Sequence, residues 1–302
     1  MKAILTAYLD QHGQSSFAEQ LEKVIKFELD YLCLRIWNGQ PLIELSDGEL
    51  KKILLDTKGS RIKIAMIDSG IQPYDPYDDR KHAKALDEYK YMLKLADRIK
   101  ATYVLMRLPI INNVIEEYDT LEKRMGDFVD AAMRAGQKMV IMPEKGVKSN
   151  TYAYLFKKMK SKHMAIAFDP VLVMMNNEST TTAYRLLRNY MTIFFAHDAN
   201  HQGQPELMGY GKSDTLKILK KLDRDRFDGF IVMDQHFHQT VFKQEEEKKG
   251  FFKKLFSNDK KKKDDELRLL SRRIFPDEET KNVTEDDILR HQIQLVKTIF
   301  KG

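Results

Sequence analysis

The fold class this sequence predicts is α/β: a (β/α)8 TIM barrel with a charged helical extension at the C-terminus. Three observations predict it. Short runs rich in β-branched and aromatic residues alternate with longer amphipathic stretches eight times over roughly 235 residues, the size of such a barrel. The runs are apolar at consecutive positions, as in Met139-Val140-Ile141-Met142 and Phe230-Ile231-Val232-Met233, which marks parallel strands covered on both faces. No strand is followed by the glycine-rich phosphate loop of an open doubly wound sheet.

Taken in order, strands are expected near Lys2–Tyr8, Tyr31–Trp37, Arg61–Asp68, Thr102–Arg107, Lys138–Glu144, His163–Asp169, Met191–Asp198 and Gly229–Asp234. Between them, Phe17, Leu21, Val24 and Ile25 recur at helical spacing, and Leu86, Tyr89, Leu93 and Ala96 do the same in the third helix. Ser16 with Glu19 and Ser46 with Glu49 form capping boxes at two helix starts. Gly136 suits a left-handed helix end before the fifth strand. After Val241 the composition turns to lysine and glutamate, then to a short apolar pattern, Leu267 to Phe275, ending at Pro276. A last helix is capped by Thr284 and Asp287. The division read from this is a barrel over 1–242 and a charged extension over 243–302, the early part of which is expected to supply the last barrel helix.

Composition narrows the function classes. The 302 residues are 42% hydrophobic and 32% charged, enough for a substantial core. No apolar stretch approaches the roughly 18 residues of a membrane span, and Asp10 interrupts the apolar start too early for a signal peptide. A single cysteine, Cys33, fits a reducing compartment, so a cytoplasmic location is expected. The net charge of +6 is concentrated in 243–263, where nine lysines stand against four acids. The rest of the chain is nearly neutral, which argues against a specific nucleic-acid groove.

In a barrel, chemistry belongs at the carboxyl ends of the strands. Those ends carry Tyr8 and Asp10, Arg35 and Trp37, Asp68, Arg107, Glu144, Asp169, His197 and Asp198, and Asp234. Three carboxylates, Glu144, Asp169 and Asp234, converging on one mouth would repel one another unless a cation neutralised them. Oxygen donors suit Mg²⁺ or Mn²⁺, and an added imidazole shifts the choice towards Mn²⁺, Co²⁺ or Zn²⁺. His201, His236 and His238 cluster in the last two loops as candidates for a substrate pocket.

The order of several short motifs resembles the xylose-isomerase-like sugar phosphate isomerases and epimerases over roughly residues 1–240. Leu34-Arg35 with Leu45-Ser46 is similar to the family's LR…LS stretch, and Pro143-Glu144-Lys145 to its EN motif. Phe168-Asp169-Pro170 resembles its Asp-Pro motif, and Phe195-Ala196-His197-Asp198-Ala199 its H-x-K-D-A segment. Gly209-Tyr210-Gly211 looks like the G-x-G turn that follows. Phe227-Asp228-Gly229-Phe230 with Met233-Asp234-Gln235-His236 resembles YDGF…LEPH. The departures are that the family's metal-binding histidine is Phe195, its last glutamate is the shorter Asp234, and a polar residue after the sixth strand is Leu172.

The resemblance implies metal-assisted proton transfer next to the carbonyl of a sugar or sugar phosphate. Glu144 and Asp234 would carry the protons. Glu144, Asp169, Asp234 and a displaced His197 would hold a divalent metal. Arg35, Arg107, Lys145, His201 and His236 would hold the substrate. His197 is also read as a hydrogen-bonded residue in place of the family's lysine. The alternative is a catalytically inactive barrel that binds a sugar-like ligand or a protein partner. The AP-endonuclease branch of the superfamily needs a histidine-rich trinuclear site, whereas Trp37 and Asp68 end the second and third strands here. Residues 250–256 interleave phenylalanines with lysines, so contact with an anionic membrane surface and packing beneath the barrel both stand as readings. A homo-oligomer is left open.

Overall fold

A computed structural model describes residues 3–11, 14–234, 257–276 and 283–300. Eight parallel strands form a closed barrel: β1 (Ile4–Tyr8), β2 (Tyr31–Leu34), β3 (Lys63–Asp68), β4 (Tyr103–Met106), β5 (Met139–Ile141), β6 (Met164–Phe168), β7 (Met191–Phe195) and β8 (Phe230–Asp234). Each pairs with its chain neighbours, and β8 closes on β1 with Ile4 opposite Phe230 and Tyr8 opposite Asp234. The predicted fold class is therefore the observed one. The strands end earlier than expected. Ile36–Trp37 leaves β2 to pair with Gln40–Pro41, and Asp198–Ala199 leaves β7 to pair with Pro205–Glu206.

The helices are α1 (Phe17–Lys26), α2 (Asp47–Ser60), α3 (Asp79–Ile99), α4 (Tyr118–Arg134), α5 (Ser149–Met159), α6 (Pro170–Met175), α7 (Thr180–Leu187), α8 (Thr215–Arg224), α9 (Ser257–Ile274) and α10 (Glu285–Ile299). The capping boxes at Ser16, Ser46 and Thr284 are all present. Gly136 lies two residues beyond the end of α4, with φ of 69°. Of the first helical stripe, Phe17, Leu21 and Val24 are buried while Ile25 is 60% exposed. Helix α10 packs beside α8 and meets α1 through Lys26–Asp286, placing it where a barrel's eighth helix belongs. Its Leu289, Ile293 and Val296 join the core between strands and helices. The boundary at 242/243, the segment 250–256, His236 and His238 lie outside the described residues. No helix among the described residues is long and apolar enough to cross a membrane.

Two apolar layers follow from strand alternation. One face of each strand packs on the helices. The other fills the barrel with Tyr8, Cys33, Met66, Leu105, Val140, Ala165, Ala167, Ile193, Phe195, Phe230 and Val232, among others. Small Ala65, Ala165 and Ala167 leave room for the aromatic rings, and Phe230 takes edge contacts from Tyr31 and Tyr103 at 5.2 and 5.9 Å.

Candidate functional site

The same alternation builds the mouth. Two residues beyond the interior positions Tyr8, Cys33, Met66, Leu105, Met142, Ala167, Phe195 and Val232 come Asp10, Arg35, Asp68, Arg107, Glu144, Asp169, His197 and Asp234. Every strand thus contributes one charged or imidazole group to the rim, with acid and base alternating from β1 to β5.

The alternation is realised as ion pairs. Arg35 donates from Nε and Nη2 to the two oxygens of Asp10 at 2.8 and 2.7 Å. It also donates from Nη1 and Nη2 to the two oxygens of Asp234 at 2.7 and 3.2 Å. Register explains the reach. Tyr8 stands opposite both Cys33 and Asp234, so a guanidinium two residues beyond Cys33 crosses the Tyr8 ring, 4.5 Å below it, to arrive at β8. Arg107 donates from Nη1 and Nη2 to Asp68 at 3.0 and 3.1 Å, and its Nε lies 3.0 Å from Oε1 of Glu144. His197 Nε2 is 2.8 Å from Oδ1 of Asp169, which also accepts the amides of Val171 and Leu172 as the N-cap of α6.

The charge states follow. Burial works against the cation of Arg35, but Asp10 and Asp234 outweigh it and hold the group protonated. Burial pushes the Glu144 carboxyl above its ordinary value; Arg107 opposes this and Asp68 adds to it. Burial alone would raise Asp169, yet His197 and the Leu172 and Val171 amides bring it below the usual carboxylate value. Burial likewise disfavours charged His197, and Asp169, with help from Asp234 and Asp198, lifts it above its ordinary value. Burial and neighbouring acids keep the Tyr8 phenol neutral.

Beneath His197 lies a rigid support. Asp198, 2% exposed, accepts from the amides of Ala199, Gly209, Gly211 and Ser213 and from the Ser213 hydroxyl. Thr215 Oγ1 in turn donates to the carbonyl of His197 at 2.6 Å. A side chain at Gly211 would place Cβ 2.1 Å from Oδ1 of Asp198, so the loop approaches closely only because that residue has none.

Of the residues singled out in the sequence, Arg35, Arg107, Glu144, Asp169, His197 and Asp234 meet at the mouth. Lys145 and His201 are exposed on the β5 and β7 loops and enter none of these ion pairs. Phe195 is buried in the interior with its ring stacked on His197 at 6.0 Å, so both do face the same way. The pairing partners Asp10 and Asp68, and Tyr8 under Arg35, were strand-end residues without an assigned role. Their signal was the alternating sign along the chain, Asp10, Arg35, Asp68, Arg107, Glu144.

The four residues proposed for a divalent metal do not gather as a ligand set. Asp234 is held by Arg35, Glu144 by Arg107 and Asp169 by His197. Among the described residues no three His, Cys, Asp or Glu side chains are placed to hold a metal ion. The donor set as arranged does not fit the group.

No family model matches the chain, and no curated protein matches its sequence. Its fold is that of solved xylose-isomerase-like TIM barrels. A xylose isomerase domain protein from Alicyclobacillus acidocaldarius superposes with a TM-score of 0.65 at 11% identity, over 99% of this chain and 100% of that one. A xylose-isomerase-like TIM barrel protein from Mycobacterium smegmatis, solved in complex with magnesium, gives 0.64 at 12%, over 99% and 97%. D-psicose 3-epimerase from Clostridium cellulolyticum, solved with D-tagatose, gives 0.63 at 14%, over 76% and 84%.

Proposed function

We propose that the mouth of this barrel binds a free sugar or a similarly hydroxyl-rich small molecule. The observation that carries the reading is the ring of paired charges at the barrel mouth. Planar guanidinium and carboxylate groups engage neighbouring hydroxyls two at a time. The described rim holds five carboxylates against two guanidinium groups and one imidazole. That excess of negative charge favours a neutral sugar over a sugar phosphate. The epimerase solved with D-tagatose supports the ligand class by fold.

A second reading, proton transfer next to a sugar carbonyl, is favoured by Glu144 and His197. A carboxyl raised by burial is tuned towards the work of a general base. His197, raised above its ordinary value and held at Nε2 by Asp169, is the candidate acid. Asp234 serves as a second proton carrier only if Arg35 releases it. Arg107 stays beside Glu144 and steadies its anion before proton uptake.

The experiment is a calorimetric and thermal-shift screen of free ketoses, aldoses and their phosphates. Saturable binding of a free sugar, lost in Arg107→Met, is expected. Indifference to every sugar would sink the reading. Exchange of the sugar's C–H for deuterium in D2O, absent in Glu144→Gln, separates turnover from binding alone.

A further inference from the structure

We infer that Arg35 and Arg107 are the fixed cations of this mouth, so that folding and ligand binding need no divalent metal. Five carboxylates at one end of a barrel, Asp10, Asp68, Glu144, Asp169 and Asp234, demand counter-charge. A divalent ion is one solution. Here the side chains supply another.

Arg35 satisfies both oxygens of Asp10 and both of Asp234. Arg107 satisfies both oxygens of Asp68 and one of Glu144. Neither group is a surface afterthought, for the two side chains are 22% and 20% exposed, and Arg35 is seated on the Tyr8 ring. The remaining donors are similarly engaged. Phe195 offers no lone pair, and the Asp169 oxygen facing His197 also caps α6. An ion using Asp10, Asp68 or Asp234 would have to displace a guanidinium from that carboxylate. Two like charges would then share the site.

The guanidinium groups also replace what an ion offers a ligand. Of the five N–H of a guanidinium, Arg107 spends two on Asp68 while its Nε faces Glu144, and Arg35 spends four on Asp10 and Asp234. The remaining donors are charge-assisted hydrogen bonds for a carbonyl or hydroxyl oxygen, weaker than a compact dication but permanently in place. This last step rests on the sugar reading; the metal independence does not.

The test uses the full chain stripped with chelator, titrated calorimetrically with Mn²⁺, Co²⁺ and Zn²⁺ and melted with and without EDTA. No stoichiometric uptake and an unchanged Tm are expected. One-to-one uptake that disappears in Glu144→Ala overturns the inference. Arg107→Met releases Asp68 and Glu144, and is expected to melt lower, recover with Mn²⁺, and bind it at least about tenfold tighter than the parent protein. Arg107→Lys, which keeps a cation, is expected to stay metal-indifferent. A folded Arg107→Met protein that ignores Mn²⁺ refutes the stand-in role; if that variant does not fold, the titration of the parent protein decides. Sugar binding that appears only with added metal overturns the inference and leaves the sugar reading intact. Sugar indifference with no metal uptake removes the sugar reading alone.

Discussion

Removing the guanidinium of Arg35 leaves Asp10, whose side chain is 2% exposed, without a counter-charge where water barely reaches. A partly buried pair of this kind contributes little net stability when whole, because desolvation offsets attraction, but breaking it from one side is costly. Arg35→Met is therefore expected to lower the unfolding free energy by about 3–5 kcal/mol in urea titrations. Adding Asp10→Asn and Asp234→Asn to the same protein is expected to restore most of it, since the orphaned charges are then gone. A single variant that costs no more than an exposed pair, about 0–1 kcal/mol, would mean that solvent reaches Asp10 freely and that the ring is not a closed network. The same arithmetic separates Arg35 from a pair such as Arg98–Asp47, whose side chains are 56% and 76% exposed.

Between β6 and β7 the unit is the connection rather than the residue. His197–Asp169 ties the two strand ends together, while Asp198 gathers the 209–213 loop beneath them. Its pH dependence has two edges. The imidazole is raised above its ordinary 6.5, so its contribution is complete below that value and fades as pH rises through the folded pKa. The carboxyl is lowered from 3.8, so its contribution is complete above that value and fades as pH falls through the folded pKa. The pair therefore stabilises most in the mildly acidic window between the two. His197→Gln is expected to cost about 1–3 kcal/mol near pH 5.5 and distinctly less near pH 9. Denaturant melts at the two pH values check this; a difference that does not change with pH would show that the imidazole pKa is not raised by the fold, and a larger cost at pH 9 that the imidazole is held neutral. Sequence reasoning extended β7 to Asp198; the strand stops at Phe195 because Asp198 turns aside to accept five hydrogen bonds from its own loop.

Across the whole molecule, the barrel was legible because each strand is apolar on both faces and each helix on one, a pattern that local sequence carries directly. The pairing at the mouth was not, because it depends on closure: Arg35 and Asp234 are 199 residues apart and meet only once β8 registers against β1. Closure also draws the C-terminal helix into the core. Helix α10 lies against α8 and reaches α1, its Ile293 and Val296 are 4% and 0% exposed, and its Gln292 side chain accepts the amide of Met208 in the β7 loop. Without α10 the helical layer has a gap facing β8 and β1, the two strands that bring Asp234, Tyr8 and Asp10 together. Truncation at residue 283 is expected to abolish the cooperative melt and leave an aggregating chain, though the cut falls far in sequence from every rim residue. Ile293→Ala is the milder probe. Deleting a fully packed side chain of that size is expected to cost about 2–5 kcal/mol, and the melt should stay a single transition because α10 belongs to the same core as the strands. A truncated chain that melted with an undiminished Tm would instead make α10 an accessory helix, and the barrel complete without it.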